Sequence, residues 1–173
     1  MNVFLVGPMG SGKSAVGRQL ARRLNLQFYD SDHEIEARTG VDIPYIFERE
    51  GEAGFRHREA EVIDDLTRQQ RVLVATGGGA ILDAGSRARL RERGRVVYLR
   101  TSVEQQLART RRSTDRPLLN TPDPRGTLLR LLEQRSPLYA EVADITVDTD
   151  GRKVKAVVDQ ICRQLEASGE APR

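Results

Sequence analysis

The sequence predicts an α/β fold: a five-stranded parallel sheet flanked by helices. Five short blocks rich in branched residues recur along the chain, and helical patterns lie between them. Strands that alternate with helices favour a parallel sheet covered on both faces, because each parallel return needs a crossover. The length of 173 residues suits one domain with one core, so residues 1–173 are expected to fold as a single unit.

Val3 to Val6 reads as the first buried strand. Val16, Leu20 and Leu24 then recur every four residues, as one face of a helix does. Gln27 to Tyr29 is the second strand and Val72 to Ala75 the third. More than 40 residues separate them, with helical pieces broken at Gly40, Pro44 and Gly51. That is far more than a crossover requires, so residues 31–61 are expected to form a substrate-binding helical insertion.

Val96 to Leu99 is the fourth strand. From Arg109 to Pro124 the chain is polar, charged and punctuated by Pro117, Pro122 and Pro124, as a lid is. Asp123-Pro124 reads as a cap and first-turn proline opening a helix that carries Leu128, Leu129, Leu131 and Leu132 and ends around Arg135. Ile145 to Val147 is the fifth strand. Val154, Val157, Val158, Ile161 and Leu165 stripe the last helix, and residues 167–173 are expected to be a loose tail.

Hydrophobic residues make up 38% and charged residues 31% of the chain, and no apolar run approaches the roughly 20 residues of a membrane span. The apolar residues fall in regular blocks, which excludes disorder. The single cysteine, Cys162, cannot form an internal disulfide, and the first residues lack the flank and apolar stretch of a signal peptide, so a cytoplasmic protein is expected. Of 28 basic residues only Lys13, Lys153 and Lys155 are lysines. An arginine-rich surface suits nucleic acid, small anionic substrates or mere compositional bias, and bulk charge does not choose among them.

Gly7-Pro8-Met9-Gly10-Ser11-Gly12-Lys13-Ser14 fits the P-loop pattern in full, after a buried strand and before an amphipathic helix. The glycines let backbone N–H groups turn inward around a phosphate, and the helix adds its positive end. Lys13 can reach the terminal phosphates, and Ser14 offers a hydroxyl to magnesium. A compact ammonium fits a tight loop where a planar guanidinium does not.

Asp30 and Asp32 stand two apart at the carboxyl end of the second strand, where ligands of parallel sheets collect. If the extended geometry continues through Ser31, both carboxylates point the same way. One then serves magnesium through water and the other receives a substrate hydroxyl. The alternative is a helix cap by either residue, with Glu34 and Glu36 in the first turn. Thr76-Gly77-Gly78-Gly79 follows the third strand at the same end of the sheet, and its bare N–H groups suit an anionic or hydroxylated substrate.

Three arginines stand in settings of interest. Arg56 lies in the insertion, with Glu59 spaced to hold it and Phe47 and Phe55 able to wall a pocket. Arg116 lies in the expected lid, where a cation can act on a transferring phosphoryl group. Arg135 lies in Arg135-Ser136-Pro137-Leu138-Tyr139. His33 and His57 lack the spacing of a metal site and are expected on exposed helix positions, and Cys162 is expected to pack in the last helix.

The P-loop, Asp30-Ser31-Asp32, Phe55-Arg56, Gly77-Gly78-Gly79, Arg116-Pro117-Leu118-Leu119 and the Arg135 motif occur in an ordered set from Asn2 to Leu165 that resembles the shikimate kinases. The resemblance implies a P-loop kinase fold of the nucleoside monophosphate kinase type. It also implies transfer of the ATP γ-phosphate to the 3-hydroxyl of shikimate, on the route to chorismate and the aromatic amino acids. By motif, Gly10, Ser11, Gly12, Lys13, Ser14 and Ala15 bind ATP together with Arg109, Arg116 and Arg152, the last two of which lie in the lid and the adenine loop respectively. Asp32, Arg56, Gly77, Gly78, Gly79 and Arg135 bind shikimate, the arginines on its carboxylate. Lys13, Asp32 and Arg116 are the catalytic set, and Ser14 with Asp30, through water, serves Mg2+. A monomer with ATP and shikimate as its partners, and neither nucleic acid nor membrane, is expected. A kinase for another small acceptor such as gluconate, and a non-catalytic nucleotide-dependent binder of nucleic acid, are the rival readings.

Overall fold

The computed structural model describes residues 1–110 and 119–169. Strands β1 (Val3–Val6), β2 (Gln27–Asp30), β3 (Val72–Ala75), β4 (Arg95–Arg100) and β5 (Ile145–Asp148) form one sheet in the order β2-β3-β1-β4-β5. Every pairing is parallel, as expected from the alternation of strands and helices. β4 extends one residue beyond its apolar block at each end, where Arg100 meets Asp148 of β5 through two hydrogen bonds of 2.6 and 3.0 Å.

Side chains alternate across the sheet and feed two cores. Val3, Leu5, Leu73, Val97 and Leu99 face α1 (Lys13–Leu24) and α7 (Val154–Ala167), where Cys162 is buried as expected. Phe4, Val6, Val74 and Tyr98 share the opposite core with residues of α2 (Ser31–Thr39), α3 (Ile43–Arg68), α4 (Ala84–Arg93) and α6 (Pro124–Val142). A third cluster joins Met9 to Val103 of α5 (Val103–Thr110) and to Leu128 of α6. Among the described residues no helix is long and apolar enough to cross a membrane.

Several expected boundaries shift. α3 continues past residue 61 because Val62, Ile63 and Leu66 carry its buried stripe on over the sheet. Its break is a kink at Gly51, with φ 71° and ψ −179°, a backbone state that a side chain disfavours. Pro44 opens α3 rather than breaking it, next to the Asp42 cap, whose carboxylate accepts from Tyr45 N at 2.9 Å. α6 does not end at Arg135. It runs through Pro137 to Val142, because Tyr139 and Val142 are buried and the one carbonyl that proline leaves unpaired belongs to the exposed Glu133. The first residues of the expected tail are tied down, with Ser168 N donating to the Gln164 carbonyl at 3.3 Å.

Register sets the position of the functional groups. Asp30 pairs with Ala75, and Ala75 with Leu5, so these three residues lie in one row across the sheet. The P-loop, the start of α2 and the glycine cluster therefore leave the sheet side by side. This is the carboxyl edge where the connections diverge to either side of β1, the usual ligand position of such sheets.

Candidate active site

The P-loop curls around its own lysine. Lys13 Nζ donates to the carbonyls of Gly7 and Pro8 at 2.7 and 2.8 Å and to Ser11 Oγ at 3.3 Å, with Ser11 fully buried beneath. Gly12 caps α1 with no side chain, and no acidic residue occupies the first turn, so the helix N–H groups face outward for an anion.

The extended geometry expected through Ser31 stops at Asp30. Asp30 caps α2, its Oδ1 accepting from Asp32 N at 3.0 Å and His33 N at 3.2 Å. Its other oxygen accepts from the Ser14 hydroxyl at 2.6 Å. One carboxylate thus starts the helix, as one of the sequence's alternatives had it, and also holds the P-loop serine. Asp32 reaches the same cleft from the first turn of α2, because the cap turns the chain helical at Ser31. Ser31 Oγ, fully buried, accepts from Gly77 N at 2.9 Å and binds the glycine cluster to this helix start.

The glycine cluster is where the residues expected to bind substrate converge. A Cβ at Gly77 would lie 2.7 Å from Asp32 Oδ1 and 2.7 Å from Glu59 Oε2, so only glycine lets both carboxylates approach. A Cβ at Gly79 would overlap the Arg56 guanidinium, and one at Gly78 would lie 3.7 Å from Arg135 Nη1. Arg56 donates to Glu59 Oε1 at 2.8 Å, the pairing expected from their spacing, and lies 5.1 Å from the ring centroid of Phe55. Phe55 is a core residue whose ring is tilted 37° to that of Phe47 at a centroid distance of 4.9 Å, and it supports Arg56. Arg135 is 3% exposed, and burial pulls its pKa down, yet a guanidinium remains a cation. Tyr139, one turn further along α6, donates its hydroxyl to the Gly78 carbonyl and hydrogen bonds Arg135.

Glu59 is the unusual group. It is 2% exposed, and burial pushes its pKa up to about 7, against the pull of Arg56 and with the help of Asp32. A raised acid contributes fully to stability below its ordinary value of 4.5, and that contribution is lost as pH rises through about 7. Glu59→Gln is therefore expected to gain in Tm relative to the unsubstituted protein between about pH 5 and about pH 8. Thermal scans of both proteins at the two pH values check this, and a difference that does not grow with pH contradicts it.

Gly10, Gly12, Lys13, Ser14, Ala15, Asp30, Asp32, Gly77, Gly78 and Arg109 line one open cleft of about 490 Å³. Arg109 lies over the P-loop, with Nη1 donating to the Gly10 carbonyl at 2.9 Å. The Arg152 side chain is not brought there. It bonds the carbonyls of Asp148 and Ala156 at 3.0 and 3.2 Å and the Gln160 amide, which fixes the start of α7. The turn before it does reach α5: Asp150 accepts from Ser102 N at 3.0 Å, and Gly151 N donates to Gln105 Oε1 at 3.4 Å. Arg116 and residues 111–118 of the expected lid lie outside the described residues. Both histidines are exposed as expected, and His57 lies 3.1 Å from Glu61.

Comparisons with known proteins agree with the fold. A family model described as shikimate kinase matches residues 9–166. The chain belongs to the shikimate kinase family. Shikimate kinase 1 of Enterobacter sp. (strain 638) is 55% identical to it over 96% of this chain and 97% of that one. Shikimate kinase of Vibrio cholerae is 56% identical over 95% of each. The solved shikimate kinase of Acinetobacter baumannii, in complex with shikimate, superimposes with a TM-score of 0.94 at 51% identity, covering 98% of this chain and 94% of that one. A gluconokinase from Sinorhizobium meliloti has a TM-score of 0.55 at 22% identity, covering 98% and 93%, a likeness of fold alone. The Ser31 contact to Gly77, the burial of Glu59, the Tyr139 contact to Gly78 and the hydrogen bond from Gln106 of α5 to the Met9 carbonyl at 3.0 Å are features that motif reading did not supply. Only Tyr139 had a legible signal, its i+4 spacing from Arg135 on one helix face.

Proposed function

We propose that this protein is a shikimate kinase, transferring the γ-phosphate of ATP to the 3-hydroxyl of shikimate in aromatic amino acid biosynthesis. The observation that carries the proposal is the meeting of Arg56, Arg135 and Asp32 at one glycine cluster, which lies directly beside the P-loop. Two guanidinium forks at one end of a small site suit a carboxylate, and they orient a ring as well as attract it. The Gly78 N–H and Asp32 are then left for ring hydroxyls.

In the proposed reaction the P-loop N–H groups and Lys13 hold the β- and γ-phosphates. Asp32 orients the substrate hydroxyl and takes its proton as the new O–P bond forms, and the bond from the γ-phosphorus to the bridging oxygen breaks to release ADP. Alignment and charge stabilisation dominate, because the transition state is loose. Ser14 Oγ and Asp30 Oδ2, hard oxygen donors 2.6 Å apart, fit magnesium bound at the hydroxyl and, through water, at the carboxylate. Magnesium on the phosphate oxygens supplies neutralisation of their charge. Arg116 is assigned to the transferring phosphoryl group. The adenine is assigned to the space between Arg109 and the turn at Asp150 to Arg152, with the backbone of that turn rather than the Arg152 guanidinium in contact. A cytoplasmic monomer is the state we propose.

A coupled ADP-release assay tests the proposal. Turnover is expected with shikimate, and turnover of gluconate without any of shikimate overturns it. Arg56→Ala and Arg135→Ala are each expected to raise the KM for shikimate about 10- to 100-fold, the worth of one charge-assisted hydrogen bond or more, with a smaller change in KM for ATP.

A further inference from the structure

Two buried polar atoms without a role in the proposed reaction line the same small cavity. Gln106 of α5 is 2% exposed, its Nε2 donates to the Met9 carbonyl of the P-loop at 3.0 Å, and its Oε1 accepts no hydrogen bond among the described residues. Arg135 is 3% exposed, and its Nε–H donates none among the same residues. Both residues border a cavity of about 10 Å³ enclosed with Pro8, Met9, Leu128 and Tyr139. That is room for about one water, which can accept from one group and donate to another. Leaving a buried donor and a buried acceptor both unpaired is costly, and one bridging water satisfies the two together.

We propose that Gln106 is a positioning residue that ties the P-loop to the substrate arginine. One end of its amide holds the Met9 carbonyl, and the other, through a buried water, holds the Arg135 Nε–H. α5 and the loop already behave as one piece. Arg109, one turn further along α5, donates to the Gly10 carbonyl at 2.9 Å, and a Cβ at Gly10 would come within 3.2 Å of Gln106 Cα. A nucleotide that draws the loop onto its phosphates therefore also sets Gln106, and with it the plane of the Arg135 fork. Linkage makes the effect reciprocal: nucleotide tightens shikimate by the factor by which shikimate tightens nucleotide.

The inference rests on the assignment of Arg135 to the shikimate carboxylate. Its test is calorimetric titration of the full chain with shikimate, with and without saturating ADP and magnesium. The unsubstituted protein is expected to bind shikimate about fivefold or more tightly with ADP present, in the usual range of coupling between sites. Gln106→Leu, close in size and unable to hydrogen bond, is expected to bring that ratio below about twofold. Gln106→Glu keeps the size and the acceptor but removes the donor to Met9, and it is expected to lose the ratio as well, which provides a second test if the leucine variant does not fold. Glu104→Gln, on the exposed side of α5, is expected to keep it. An unsubstituted ratio of one, or a retained ratio in a folded Gln106 variant, overturns the inference. A protein that binds no shikimate in either condition overturns the functional assignment beneath it.

Discussion

Lys13→Ala is expected to lower kcat by about 10³-fold, the upper range for removing one fixed charge stabiliser from an active site, and to leave the circular dichroism spectrum unchanged. The ammonium lies inside the loop, within 2.7 to 3.3 Å of the Gly7 and Pro8 carbonyls and the Ser11 hydroxyl. Small rotations about its flexible stem can turn it from those carbonyls to phosphate oxygens without moving the backbone. Its loss removes a cation where charge develops and no backbone hydrogen bond of a strand or helix. Lys13→Arg is expected to rescue little, because a planar fork does not fit the curl that an ammonium fills. Near-normal kcat in Lys13→Ala would show that the loop N–H groups alone carry the phosphate.

Asp32→Asn is expected to lower kcat by about 10² to 10⁴-fold, the usual worth of a general base, with the fold again intact. Asparagine preserves the size of the side chain at the start of α2 and removes its ability to take a proton. The variant carries a second signature, because the Asp32 charge is one of the causes that raise the Glu59 pKa. Neutralising Asp32 is expected to lower the Glu59 pKa, which carboxyl titration by NMR reads. A variant with near-normal kcat would remove Asp32 from the proton transfer, and an unmoved Glu59 pKa would show that the two carboxyl groups do not interact.

What the sequence made legible was what local pattern controls. The apolar blocks mark all five strands, and the P-loop glycines, Asp30 and Gly77 fall where those strands end. The pairing of Arg56 with Glu59 followed from spacing on one helix. Contacts between distant segments were not legible. Gln106 meets Met9 across 97 residues and Tyr139 meets Gly78 across 61, and neither partner carries a mark of the other. The Glu59 pKa depends on burial under a loop contributed by β3, which no property of α3 announces. Arg152 failed differently: its position in the turn was sound, but the side chain found closer acceptors on α7. Asp30 and Asp32 were placed on one side through an extended backbone, whereas a cap and the first turn of a helix bring them together.

The row that joins Asp30, Ala75 and Leu5 has a consequence for the quality of any preparation of this protein. A slip of one residue between neighbouring strands shifts one strand end by about 3.3 Å and turns its side chains to the opposite face. Such a slip preserves the number of strands and helices yet separates the carboxylate from the serine, or the glycine cluster from the acids. Specific activity is therefore a finer gauge of correct strand pairing in refolded material than any spectroscopic measure of secondary-structure content.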